Sequence, residues 1–322
     1  MIADPDPSRH GPIQRIGVVG VGAMGGMYLR HFVEAGFDCV VAARGERARR
    51  LAITGLVVNG VTLRPTVADA DAAPSVPSVD LAIVAVKHHQ LDDALDDLDP
   101  LIGPDTVVLS VLNGLDSEDR VASRFAGRFG SGGVLLSIAL AMDAQRCAHE
   151  IRYSQVGRIV LGEASTDPDG QPSSRVAAVQ QALDRAHLAH ATPSDMRHEM
   201  WWKFMVNVGI NQASAVLRAP YGAFCNDGPA RRLMLALIDE VVAIAAAEGI
   251  VLDDTDRQRW LDVLDRQPHD GSTSMHQDIE AGRPTEVEIF AGRVIELGRR
   301  HGIPTPVNQT VAWIIEAAGP AS

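Results

Sequence analysis

Arg15-Ile16-Gly17-Val18-Val19-Gly20-Val21-Gly22-Ala23-Met24-Gly25 is the stretch whose reading decides the fold. Its apolar first half, up to Gly20, reads as a short buried strand. The strand runs directly into Gly20-Val21-Gly22-Ala23-Met24-Gly25, and a helix carrying Tyr28, Leu29, Phe32 and Val33 follows. A lone Gly-x-Gly-x-x-Gly is weak evidence, but between a strand and a helix it becomes the phosphate turn of a dinucleotide-binding fold. Glycines there allow a tight turn, close backbone approach to a pyrophosphate and tight helix–strand packing, and the helix N-terminus offers free N–H donors. The competing reading is a glycine-rich turn with no ligand.

Working outward, Asp38 to Ala43 reads as a second strand that ends at Arg44. Enzymes using NAD commonly carry Asp or Glu there to hold the ribose hydroxyls, whereas an Arg suits a 2′-phosphate. Arg44 therefore points to NADPH, against the alternative of an exposed strand-end arginine. Leu56–Val58 and Val61–Thr66, joined by Asn59-Gly60, read as a tight hairpin. A loose Ala/Pro/Ser/Asp segment, Ala68 to Ser78, precedes the buried strand Asp80 to Val86, which delivers Lys87-His88-His89-Gln90 at its C-terminal end. Open α/β sheets bind ligands at that edge, so Lys87 is a cofactor or substrate candidate. The adjacent histidines diverge in direction and lack a third ligand at suitable spacing, so no metal site is expected. Thr106 to Leu112 is another strand, delivering Asn113-Gly114; this Asn either bonds ribose or substrate, or shapes the turn. Gly133 to Met142, Ile151 to Ser154 and Arg158 to Leu161 read as strands in hairpin order closing the sheet. An amphipathic helix, Ser173 to Ala186, follows, and His190 to Pro193 leads out of the domain.

The chain of 322 residues suits two domains, with ordinary apolar (46%) and charged (22%) content for a globular protein. A formal net charge of −12 argues against a general nucleic-acid binder, whose affinity comes from neutralising phosphates. It leaves room for one small anion in a locally basic pocket. Cys39, Cys147 and Cys225 have no metal-ligand spacing and read as reduced thiols of a cytoplasmic protein. The polar, proline-punctuated start lacks a signal-peptide core, and Asp239 and Glu240 interrupt the long apolar helix at 233–247, so no membrane association is expected. The expected organisation is a flexible leader at 1–14, a Rossmann-type α/β domain at 15–193 and an all-helical domain at 194–322.

Beyond Pro193 the pattern is helical throughout. Within Met200 to Leu217, Lys203, Asn207 and Asn211 are spaced by four and share one helix face. Trp201, Trp202, Phe204, Met205, Val206, Val208 and Ile210 leave little else that is polar, so both flanks of that stripe are expected to be buried. A buried ammonium with two carboxamides is costly unless something requires it; the bland alternative is a solvated face. Further helices are expected at Ala230 to Glu248 and Thr255 to Asp265, and a short one within Ser272 to Ile279 capped by a hydroxyl residue. Another runs from Pro284 and Glu286 to about Arg300, where Glu286 reads equally well as a helix cap, and the last covers Val307 to Ala317.

Assembled, these pieces resemble the ketopantoate reductase (2-dehydropantoate 2-reductase) family over nearly the whole length. The matching signatures are Gly20–Gly25, Lys87-x-x-Gln90, Asn113-Gly114, Lys203…Asn207…Asn211, Ser274-Met275-His276-Gln277-Asp278, Gly282-Arg283-Pro284-Thr285-Glu286, and the stretch from Gly302 to Asn308. The resemblance implies a Rossmann-type domain, a helical domain, and a cleft for NADPH and a small branched 2-oxo acid, in pantothenate biosynthesis. It implies Lys203 as proton donor and Glu286 as its companion. It further implies Asn207, Asn211 and Ser274 as substrate ligands, with Lys87 and Asn113 near the nicotinamide end. A homodimer is compatible with it. Asp116 stands where the family often has glycine, and His276 where members often carry a large apolar or aromatic residue.

The chemistry follows from the residue types. Hydride delivery to a ketone builds negative charge on oxygen, which a lysine ammonium can neutralise and then protonate. Carboxamides add donors without changing net charge, and Ser274 suits a carboxylate. Three readings are open: ketopantoate reduction, reduction of another 2-oxo acid or imine, and a catalytically silent NADPH-binding sensor. Retention of Lys203, Asn207, Asn211, Ser274 and Glu286 together speaks against the third.

Overall fold

A computed structural model describes residues 10–71, 76–147, 149–164 and 171–318. The chain forms two compact units. The first takes residues up to Leu112 together with Asp116–Met196, and the second takes Asn113–Leu115 together with residues from Arg197 onward.

The first unit begins with β1 (Arg15–Val19), α1 (Ala23–Glu34), β2 (Asp38–Ala43), α2 (Gly45–Thr54), β3 (Leu56–Val58), β4 (Val61–Leu63) and β5 (Thr66–Asp69). It continues with β6 (Leu81–Val84), α3 (Leu91–Leu98), β7 (Val107–Ser110), α4 (Ser117–Arg124) and β8 (Gly133–Leu140). It closes with β9 (Gln145–Cys147), β10 (Glu150–Arg152), β11 (Arg158–Gly162), α5 (Ser174–Arg185) and β12 (Ala189–Ala191). Eight strands form the main sheet in the order β12-β11-β8-β7-β6-β1-β2-β5. From β5 to β8 every neighbouring pair is parallel; β11 runs antiparallel to β8. Alternation along each strand fills both faces: Ile16 and Val18 of β1 join one apolar cluster, and Val19 the other. The chain leaves β1 toward β2 on one side and reaches β6 on the other. The strand order therefore reverses between β1 and β6, which in open α/β sheets is where ligands bind.

Several expectations shift in detail. The stretch Val61–Thr66 is broken before Pro65: β4 ends at Leu63, and Thr66 opens β5, which extends the main sheet beside β2. The Asn59-Gly60 turn does join β3 to β4, with both residues at positive φ (42° and 76°). The strand expected at Ile151–Ser154 is β10, and it leaves the main sheet to join β4-β3-β10-β9 in a separate four-stranded sheet. The reason is packing: Ile151 is fully buried, and its side chain lies where a Cβ on Gly26 of α1 would sit, 2.2 Å away. The segment at His190 is a further strand, β12, parallel to β11, rather than a plain exit. Of the expected leader, residues 1–9 lie outside the described residues, while Ile13 is buried and the Gln14 N–H donates to Asp80 Oδ2 at 2.7 Å. Part of the loose segment, residues 72–75, also lies outside them.

The second unit is helical: α6 (Met196–Leu217), α7 (Pro229–Ala247), α8 (Asp254–Leu264), α9 (Ser274–Glu280), α10 (Arg293–His301) and α11 (Pro306–Ala318). Trp201, Phe204, Met205, Val208 and Ile210 of α6 belong to its core together with Met234, Leu237 and Ile238 of α7. Gly209 permits the close approach of these helices, because a Cβ there would lie 2.7 Å from Ile238 Cγ1. Glu199 of α6 takes both guanidinium nitrogens of Arg259 at 2.7 and 2.8 Å, and that guanidinium stacks over Trp202. The helix expected from Pro284 starts later. A single π-helical turn covers Glu288–Gly292 and leads into α10. Ahead of it Gly282 takes φ +62°, and the Arg283 N–H and Nε bond the Asp278 carbonyl and carboxylate, holding the segment as a turn. Among the described residues no helix is long and apolar enough to cross a membrane.

Candidate active site

The glycine-rich turn lies at the switch point between β1 and β6. Gly20 adopts φ +86°, and a Cβ on it would come within 2.6 Å of the Ala85 carbonyl at the end of β6. A Cβ on Gly25 would lie 2.3 Å from the Gly20 carbonyl. Both positions are closed to any other residue. Gly22 is the opposite case: a Cβ there meets nothing within 4 Å, so this glycine keeps space clear rather than relieving a clash. Gly22 is also the N-cap of α1, whose first turn has no side-chain cap and no acidic residue. The Gly22 N–H is taken by the Gly20 carbonyl at 2.7 Å, while the N–H groups of Ala23 and Met24 and the positive end of the helix dipole open onto the clear space beside Gly22. This is the donor set that a dinucleotide pyrophosphate requires, so the residues present fit such a cofactor.

Arg44 ends β2 and serves as the N-cap of α2 with its side chain directed to Asp97 of α3, a short ion pair that raises the arginine pKa through the hydrogen bond. Asp97 is itself 8% exposed. The guanidinium is thereby oriented at the strand end, and 42% of the Arg44 side chain stays open to solvent. Lys87 follows β6 as the N-cap of a 3-10 turn over His88–Gln90 and is half-buried. Its N–H is received by Gln90 Oε1 at 3.4 Å, a local bond that accounts for the Lys-x-x-Gln spacing. The His88 ring accepts from Arg120 Nη1 at 3.1 Å.

In the second unit, Lys203, Asn207 and Asn211 do lie on one face of α6. Lys203 and Asn207 are half-buried and Asn211 is 6% exposed. Their hydrogen bonds run in one direction: Ser274 Oγ donates to Asn211 Oδ1 (3.2 Å), and Asn211 Nδ2 donates to Asn207 Oδ1 (3.1 Å). Each carboxamide oxygen thus accepts one hydrogen bond, while both N–H groups of Asn207 and one of Asn211 have no bond in this relay. The helix cap beside them is Thr273, which accepts from the His276 N–H; Ser274 is the first residue inside α9 rather than its cap. Asn113 belongs with this unit, and its Nδ2 donates to Glu286 Oε2 at 3.0 Å. Glu286 sits in the turn before the π-helical segment, where its carboxylate accepts from Asn113. π turns inside helices recur at functional sites. His276 is 4% exposed, with Nε2 3.3 Å from Glu280 Oε1. Asp116 opens α4 without a side-chain cap bond.

Two features escaped the sequence reading. Ser214, fully buried, bonds both the Asn211 carbonyl and the Thr273 hydroxyl (2.5 Å), so it ties α6 to the start of α9. A serine among alanines on an apolar helix gave only a faint signal. Arg146 of β9 donates to the Val21 carbonyl inside the glycine-rich turn, a contact spanning 125 residues that no local pattern announces.

The chain matches "Ketopantoate reductase PanE/ApbA" over residues 16–166 and the C-terminal part of the same family over residues 195–318. A protein of Halobacterium salinarum named 2-dehydropantoate 2-reductase is 30% identical, covering 94% of this chain and 98% of its own. The crystal structure of 2-dehydropantoate 2-reductase from Geobacter metallireducens superposes with a TM-score of 0.79 at 26% identity, covering 94% of this chain and 99% of that one. A D-mandelate dehydrogenase solved with NADH and anilino(oxo)acetate shares the fold, with a TM-score of 0.78 at 21% identity over 94% and 98% of the two chains.

Proposed function

This chain belongs to the ketopantoate reductase family, and from that premise we propose that it reduces the 2-oxo group of 2-dehydropantoate to pantoate with NADPH, using Lys203 as general acid. The observation that carries the reading is the one-way relay from Ser274 through Asn211 to Asn207. It fixes the orientation of both amides and leaves N–H groups of Asn207 and Asn211 on the helix face that carries Lys203, donors of the kind that a 2-oxo acid needs. The nicotinamide, when bound, supplies a hydride. Lys203 neutralises the charge that grows on the carbonyl oxygen and delivers the proton. Asn207 holds the carboxylate end together with Ser274, whose hydroxyl turns from Asn211 to the carboxylate when substrate binds, and Glu286, oriented by Asn113, accepts from the substrate hydroxyl. Ala23 and Met24 bind the pyrophosphate through backbone N–H groups in the space that Gly22 keeps clear, Arg44 takes the 2′-phosphate, and Lys87 serves the nicotinamide end.

A second reading, reduction of a different 2-oxo acid or imine, draws on Asp116 and on the buried His276 beside Ser274. A scaffold shared with a D-mandelate dehydrogenase fixes neither acid nor cofactor. The two readings separate on the 4-hydroxyl of ketopantoate. A site built to bond a hydroxyl discriminates strongly against an analogue lacking it, because its own polar groups are left unpaired. Following NADPH absorbance with both acids, ketopantoate is expected to be used far more efficiently than 2-oxoisovalerate. Glu286→Gln is expected to harm ketopantoate reduction more than oxoisovalerate reduction, because Glu286 is the group assigned to that hydroxyl. An equal or better rate with oxoisovalerate removes the ketopantoate assignment in favour of the second reading.

A further inference from the structure

Glu199 precedes Lys203 by one turn of α6, so the stripe of Lys203, Asn207 and Asn211 has an acidic residue at its N-terminal end. A Glu four residues before a Lys is the favourable arrangement for an ion pair along a helix. Helical side chains also lean toward the N-terminus, the direction in which Glu199 lies from Lys203. Such a pair is a hazard for a proton donor, because it would draw the ammonium from substrate and hold its proton more tightly. The Glu199 carboxylate is engaged by Arg259 of α8, which donates to both oxygens: Nη1 to Oε1 at 2.7 Å and Nη2 to Oε2 at 2.8 Å. The guanidinium carbon lies 3.8 Å from the centre of the Trp202 ring. Trp202 is held in turn, its indole N–H donating to the Asp256 carbonyl of α8 at 3.1 Å. The Glu199 side chain is 16% exposed and that of Arg259 35%, so solvent screens the pair only in part. The neighbouring titratable pair, His198 and Asp256, lies within 3.1 Å of each other.

We propose that Arg259 is a positioning residue for the proton donor: its fork holds the Glu199 carboxylate on the Trp202 side of α6 and so keeps it from capturing the Lys203 ammonium. This rests on the reading of Lys203 as general acid given above. Three residues along a helix turn by about 300° and four by about 400°, so Trp202 lies about 60° to one side of Glu199 and Lys203 about 40° to the other. A guanidinium stacked on Trp202 therefore draws the carboxylate to the side away from Lys203. Arginine suits this task, because its planar fork matches two carboxylate oxygens, stacks on an aromatic face and keeps its charge. Lysine is used sparingly here: the chain contains two, Lys87 and Lys203, among 29 lysines and arginines together. An ammonium responds to its surroundings far more readily than a guanidinium does. A loose carboxylate one turn away would thus retune the group that the reaction depends on.

The test compares the unmodified full-length chain with Arg259→Met, Glu199→Gln and the double variant. Two quantities are followed: kcat with a saturating 2-oxo acid that the chain reduces, and the titration of Lys203 by NMR of isotope-labelled lysine. With two lysines in the chain the spectrum is simple, and Lys87→Arg assigns it. Methionine keeps an apolar, polarisable side chain against Trp202 while removing the fork. Arg259→Met is expected to lower kcat by about ten- to a hundredfold, the range for one charge-assisted hydrogen bond made to the ammonium. It should also raise the pH at which Lys203 titrates, since an opposite charge favours the charged form. Adding Glu199→Gln should recover most of the lost kcat and bring the titration back, because the competing carboxylate is gone. A loss that persists in the double variant would leave Arg259 as a brace between α6 and α8 and overturn the inference. Unchanged kcat and titration in Arg259→Met would overturn it too. If Arg259→Met does not fold, Arg259→Lys enters the same comparison; it keeps the charge and gives up the fork, so a smaller loss is expected. The titration requires no turnover, so the two readings fail differently. A Lys203→Ala variant that keeps its rate sinks the general-acid reading, and the titration then still decides whether Arg259 holds Glu199. An inactive Lys203→Ala variant together with a Lys203 titration indifferent to Arg259 sinks only this inference.

Discussion

At the scale of single residues, the site is a matter of which hydrogen-bonding capacity is spent and which is left. Asn211 has its oxygen and one N–H committed to Ser274 and Asn207, so it acts mainly by holding its neighbours. Lys203 carries the charge. Lys203→Ala is expected to lower turnover by about a hundred- to ten-thousandfold, the usual contribution of a positioned general acid, with NADPH affinity little changed. A variant with near-normal rate at saturating substrate would move the proton donor elsewhere, with Lys87 as the next candidate. The four-residue spacing of Lys203, Asn207 and Asn211 was legible because the helix period alone brings those side chains to one face. The partner of Glu286 was not legible. Asn113 lies 173 residues away, and a capping role explained the local sequence equally well.

At the scale of elements, the glycine-rich turn separates a fold requirement from a ligand requirement. Gly25→Ala would set a methyl 2.3 Å from the Gly20 carbonyl, a contact that only backbone movement relieves. It is expected to lower the melting temperature and dinucleotide affinity together. Gly22→Ala places its methyl in open space, so the melting temperature should hold while NADPH affinity falls. Thermal unfolding with and without NADPH distinguishes the two, and equal destabilisation by both variants would contradict the distinction. The boundaries of other elements were less legible. Glu286 lies ahead of a π-helical turn instead of on the first turn of a helix, because Arg283 and Asp278 lock the preceding residues. β10 reads as one more strand of the main sheet, yet its buried Ile151 packs on α1 and takes the strand to a different sheet. Strand periodicity reports which face is apolar and is silent on which sheet will bury it.

At the scale of the whole molecule, long-range ion pairs fasten elements that the sequence leaves unconnected. Glu163, just after β11, takes Arg175 of α5 and the Ser173 cap of that helix. Burial alone would raise the Glu163 pKa, but the hydrogen bonds from Arg175 and Ser173 outweigh it, and the net shift is downward. A carboxyl depressed in the folded state contributes stability above its ordinary range and loses it as pH falls through the folded value. The unmodified chain should therefore exceed Glu163→Gln in stability by about 1–3 kcal/mol near neutrality. The difference should shrink in acid. A gap in denaturant stability that stays constant from pH 7 into the acid range would contradict this. By itself the sequence determined the α/β-then-helical order, the phosphate turn and the polar stripe of α6. Each of these is written in contacts a few residues apart, where backbone periodicity and glycine sterics decide. Only the tertiary structure decided that Asn113 holds Glu286, that Ser214 ties α6 to α9, that β10 changes sheets and that Arg146 reaches Val21. Those contacts join residues far apart in the chain, and their partners are selected by how buried surfaces fit, which no local pattern encodes.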